Sequence, residues 1–93
     1  MTKTHPILTR WSPTQFLLTY PAKVAGGICL DCVCTWYDAV PNVPMLDEAG
    51  WVVNEHKYRY NSRRKIQRKE HDMVLPTETD ALIFCNDIYA RMK

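Results

Sequence analysis

The amino-acid sequence predicts an α+β domain: a small antiparallel sheet of about three strands with a C-terminal amphipathic helix packed on it. Three patterns carry that expectation. Alternate residues from Ile28 to Trp36 are apolar, a run rich in Val, Tyr and Trp occupies residues 51–60, and residues 78–92 place apolar side chains at helical spacing. At 93 residues and 46% hydrophobic composition, the chain suits a single domain, residues 1–93, around one core.

The helix has the clearest boundaries. Pro76 precedes Thr77, Glu78, Thr79 and Asp80, a capping-box-like start with acids in the first turn, and Arg91 and Lys93 set cations at the negative end of the helix dipole. Ala81, Leu82, Cys85, Ile88, Tyr89 and Met92 form its apolar stripe. Ile83 and Phe84 fall outside it, so the helix buries more than one face or offers apolar surface to a partner.

In the strand at 28–36, Ile28, Leu30, Cys32, Cys34 and Trp36 share one face, and Cys29, Asp31, Val33, Thr35 and Tyr37 lie on the other, mixed face. The Pro-Asn-Val-Pro run at 41–44 breaks it, Asp47, Glu48 and Gly50 supply turn chemistry, and residues 51–60 form a second strand. Past Asn61, residues 63–75 either pair back as a hairpin, the favoured reading, or form a short basic helix capped by Ser62. Near the start, Ser12, Pro13 and Gln15 hold the N-cap, N1 and N3 places of a short helix that Pro21 would end; a strand over 16–20 competes with it.

The first eleven residues contain no apolar run of the kind that directs secretion, and no stretch approaches the roughly 18 apolar residues of a membrane span, so a soluble cytoplasmic protein is expected. Cys29, Cys32, Cys34 and Cys85 then read as reduced thiols. Their number suits a zinc site, but strand alternation sends Cys29 away from Cys32 and Cys34, so Cys32, Cys34 and Cys85 read as small core residues and no metal or other cofactor is expected. A zinc-stabilised adaptor stays as a third functional class.

Catalytic signatures are absent: there is no Gly-rich phosphate loop before a helix, no Gly-x-Ser-x-Gly and no His-Glu-x-x-His. His5, His56 and His71 show no dyad spacing and read as surface residues, and a non-enzyme is expected. The six residues Phe-Leu-Leu-Thr-Tyr-Pro at 16–21 resemble the first motif of the rolling-circle replication initiator endonucleases. That family also carries a His-x-His metal pair and a Tyr-x-x-Lys nucleophile motif, whereas here His56 stands alone and Tyr60-Asn61-Ser62-Arg63 departs from the second.

The charge is polarised. From 57 to 70, Lys57, Arg59, Arg63, Arg64, Lys65, Arg68 and Lys69 stand against Glu70 alone, a net +6 that leaves −4 for the rest of a +2 chain. With Tyr58 and Tyr60 interleaved and Trp51 nearby, these residues form the candidate partner-binding surface, since Arg and aromatic side chains commonly carry interface energy. A small domain without catalytic motifs but with polarised charge resembles the general profile of phage accessory proteins. That resemblance implies docking on a larger host protein, such as a nucleic-acid-processing enzyme, to inhibit or modulate it. The alternative is an RNA- or DNA-binding module in which the same cations meet phosphates and the tyrosines stack on bases.

Overall fold

A computed structural model describes residues 6–24, 26–39, 48–59 and 65–92. Five strands, β1 (Ile7–Ser12), β2 (Gln15–Tyr20), β3 (Ile28–Tyr37), β4 (Gly50–Arg59) and β5 (Lys65–Glu70), precede one helix, α1 (Glu78–Arg91). Each strand pairs antiparallel with the next, so the sheet order is β1-β2-β3-β4-β5. The expected breaks at 41–44 and at Asp47, and the turn at Asn61 and Ser62, lie outside the described residues.

The α+β class holds, but the sheet has five strands rather than about three, because the N-terminal segment is a hairpin. Ser12 Oγ does cap, yet it accepts from the amide of Thr14 at 3.2 Å, two residues on, which closes a two-residue turn instead of starting a helix. The Thr14 carbonyl then accepts from Trp36 N at 2.8 Å and fixes that turn against β3. Phe16, Leu18 and Tyr20, each at most 1% exposed, alternate as a strand should and pair with Cys34, Cys32 and Leu30. Of the two readings of 16–20, the strand is the one adopted. The favoured hairpin after β4 is also present, with Glu55 opposite Lys69 and Lys57 opposite Gln67.

One face of the sheet carries the core: Phe16, Leu18 and Tyr20 from β2, Leu30, Cys32 and Cys34 from β3, and Trp51 and Val53 from β4. α1 lays Ala81, Cys85 and Tyr89 on it, residues four apart and therefore on one side of a helix. Fully burying each large apolar side chain contributes about 2 kcal/mol. Trp51 sits between Phe16 (ring centroids 5.1 Å apart) and Trp36 (5.7 Å), and Tyr20 stacks on Tyr89 at 4.7 Å. Thr77 caps α1 by accepting from Asp80 N at 3.1 Å, as its sequence position predicts. At the other end, Lys23 Nζ donates to the Met92 carbonyl at 2.6 Å, a cation on the unsatisfied acceptors of the last turn. α1 is not long and apolar enough to cross a membrane.

Gly50 is where the chain passes itself most closely. A Cβ there would meet Val74 Cγ1 at 2.4 Å and the Leu75 carbonyl oxygen at 2.7 Å, because Trp51 and Leu75 exchange both backbone hydrogen bonds beside it. This bridge holds the segment after β5 along β4 and delivers the chain to α1.

Candidate functional site

Strand alternation in β4 sends Trp51, Val53, Glu55 and Lys57 toward α1. The first two enter the core. The next two lie beyond it and, with Lys69 of β5, His71 just after β5, and Ile88, Arg91 and Met92 at the end of α1, line a cleft of about 220 Å³. Glu55 is 4% exposed and has a partner on each oxygen: Oε2 hydrogen-bonds with His71 Nε2 at 2.8 Å, and Oε1 forms an ion-pair contact with Lys57 Nζ at 3.7 Å. A carboxylate can only accept, so the His71 proton on this side resides on Nε2. The His71 amide donates to the Val53 carbonyl at 3.0 Å and its ring meets Phe84 edge-on at 4.9 Å, which fixes the imidazole from two further directions.

His71 corrects a sequence expectation. It is not a free surface residue: its side chain is 15% exposed and bonded to a buried acid sixteen positions earlier. His56 is half-buried on β4, and His5 lies outside the described residues. Nothing in the spacing of 55 and 71 signals the pair. The available signal is one of phase, since Glu55 occupies the same alternation as Trp51 and Val53, and a carboxylate in an apolar phase needs a partner.

The predicted partner-binding residues are not all brought together. Lys57 and Lys69 share the cleft with Arg91, a cation outside the basic segment. Arg68 pairs with His56 in register and so faces the opposite side of the sheet, where its guanidinium meets Glu70 at 3.1 Å. Tyr58 is half-buried and donates its hydroxyl to Asp31 Oδ1 at 3.1 Å, and Arg59 donates to the Gly26 carbonyl at 3.2 Å. Trp51, expected on the surface, is 5% exposed and belongs to the core. Lys65 begins β5, and Tyr60, Arg63 and Arg64 lie outside the described residues.

The four cysteines are free and buried. Cys34 and Cys85 approach to 3.7 Å between sheet and helix, and their thiols are both pushed well above the ordinary range. The hydrogen bond to Cys85 and then burial do this for Cys34; the contact with Cys32 does it first for Cys85. Burial among apolar side chains makes them packing groups of the core. Cys29 faces away from Cys32 and Cys34, and among the described residues no group of three or more His, Cys, Asp or Glu is placed to hold a metal ion.

Comparison with protein-family models, with curated proteins and with solved structures gives no match for this chain. The functional reading therefore rests on the cleft itself.

Proposed function

We propose that the protein is a small non-enzymatic binding protein that docks on an acidic surface of a larger protein through the cleft between β4, β5 and α1. The observation that carries this reading is the convergence of Lys57, Lys69 and Arg91, from three different elements, around one cleft whose only carboxylate among the described residues, Glu55, is already engaged. Lys69 and Arg91 have no acidic partner among the described residues, so they are available to carboxylates brought by a partner.

Three features favour a protein over a nucleic acid. Arg68 is turned to the opposite face from Lys69, so the cations of the described residues do not form one continuous phosphate track. Trp51 is in the core, which removes it from base stacking, and Tyr58 is half-buried with its hydroxyl committed to Asp31. A cleft of about 220 Å³ has room for one or two carboxylate side chains. A nucleic-acid-processing enzyme is a fitting partner, because such enzymes concentrate carboxylates around their metal ions.

The test is affinity capture from the native host's lysate, with nuclease, comparing the wild type with the double variant Lys69→Ala/Arg91→Ala. Both side chains are on exposed residues, so the fold is retained. The expected result is one stoichiometric protein that survives nuclease and is lost with the double variant. A partner held equally by both forms would overturn the reading, and nucleic acid as the only co-purified species would replace it with the phosphate-binding one.

A further inference from the structure

β1 ends the sheet, and among the described residues it pairs only with β2. An edge strand presents a row of unpaired backbone donors and acceptors, and soluble proteins ordinarily guard it with charge, proline or a covering segment. Among the described residues no segment covers β1, and its guards are slight: one charge, Arg10, and the register irregularity between Arg10 and Ser12. Ile7, Leu8 and Trp11 are 66%, 46% and 52% exposed, three of the seven large apolar side chains left exposed among the described residues. Its one charge, Arg10, is drawn back over the helix side: the guanidinium donates to both carboxylate oxygens of Glu78 at 2.9 Å and lies 5.3 Å from the Phe16 ring centre.

The strand is also complementary to itself. When two identical strands pair antiparallel about a two-fold axis normal to the sheet, facing residues share a face only if the axis passes through a residue. For the six residues of β1, axes through Thr9 and through Arg10 each use five of them, and only the axis through Thr9 avoids setting Arg10 against Arg10. Thr9 then faces Thr9 of the second copy, Ile7 faces Trp11, and Leu8 faces the aliphatic stem of Arg10. β-branched with aromatic and Thr with Thr are favourable cross-strand pairs, and no like charges meet. The register shift between Arg10 and Ser12 takes Trp11 out of the ladder with β2, and Trp11 is 52% exposed.

We infer that the occupant of the β1 edge is a second copy of this chain, paired antiparallel about Thr9 to give one continuous ten-stranded sheet. The order β1-β2-β3-β4-β5 then sets the two basic clefts at the two far edges, so that one dimer presents two docking sites. A chain this short, which buries only about 60% of its unfolded surface, gains stability from such pairing.

Analytical ultracentrifugation of the full chain across concentration tests this together with a Thr9→Cys variant under mild oxidation. The native thiols are all buried, so a new cross-link reports on position 9 alone. The expected results are a reversible dimer and a disulfide-linked dimer from Thr9→Cys, with none from an Arg68→Cys control on the opposite edge. Ile7→Lys, at a site already exposed, should weaken dimerisation about tenfold with unchanged circular dichroism, because each dimer loses that cross-strand pair twice. A chain monomeric at every concentration, or equal cross-linking from positions 9 and 68, would overturn the inference. Partner capture retained by Lys69→Ala/Arg91→Ala alongside an intact dimer would count against the cleft and leave the self-pairing standing.

Discussion

β5 closes one side of the sheet with Lys-Ile-Gln-Arg-Lys-Glu, whereas β1 closes the other with Ile-Leu-Thr-Arg-Trp-Ser and commits its single charge to Glu78. The two strands have the same length and each has one described neighbour, so the difference lies in side chains rather than in backbone. A strand of cations resists further strand pairing and is free to meet carboxylates; an apolar strand of neutral outline is a template for another strand. The difference teaches that the two ends of this small sheet are chemically distinct, which is what the proposed docking at one and self-pairing at the other require.

The largest effect should come from the residue that attaches β1 to the core. Phe16→Ala is expected to cost about 4 kcal/mol in urea denaturation, since a fully buried ring leaves a cavity, while Ile7→Ala should change stability by less than about 0.5 kcal/mol. If Ile7 proved as costly as Phe16, the apolar surface of β1 would be serving the chain's own fold and the contrast between the edges would fail.

At the opposite edge, Glu55→Ala removes the acid on which His71 and Lys57 are organised. We expect a loss of about 2 kcal/mol at neutral pH, the cost of leaving a partly buried imidazole and ammonium without their acceptor. Equilibrium unfolding checks the figure, and an unchanged midpoint would show that Glu55 is not a support of the cleft.

Alkaline titration probes the layer between the edges. Cys34 and Cys85 have raised folded-state values, and burial raises Tyr20 as well. Above the ordinary thiol value of 9.0 the unfolded chain releases protons that the folded chain keeps. The stability these groups contribute is therefore complete below that pH and falls as pH rises beyond it, by up to about 1 kcal/mol per group per pH unit. Thermal unfolding at stepped pH should show this decline, and Cys34→Ala should make it shallower.

The smallest effect belongs to the outward charge of β5. Arg68→Ala should alter stability by less than about 0.5 kcal/mol, because its pair with Glu70 has both side chains more than 60% exposed. A larger loss would mean that the charges of β5 hold the fold together rather than remaining free for a partner.

How far each end was legible in the sequence follows from how local its signals are. The helix cap at Thr77, the alternation of β3 and the pairing of β4 with β5 depend on neighbours within a few residues, and residue spacing displays them. The hairpin at Ser12 was ambiguous because one hydroxyl can cap a helix or close a turn, and only the amide it meets decides which. The cleft joins residues 55, 57, 69, 71 and 91, brought together by the β4–β5 register and the docking of α1, and no local spacing encodes that meeting. Trp51 shares the phase of Val53, and that alternation, rather than its aromatic character, is the sequence signal that places it in the core.

Amide hydrogen–deuterium exchange of the wild-type protein at low and high concentration measures both edges in one experiment. If the two ends differ as their side chains indicate, the amides of Ile7–Ser12 exchange more slowly as concentration rises and those of Lys65–Glu70 do not change. Exchange in β1 that ignores concentration, or protection that builds on β5 instead, would contradict the assignment of self-pairing to the apolar edge and of docking to the basic one.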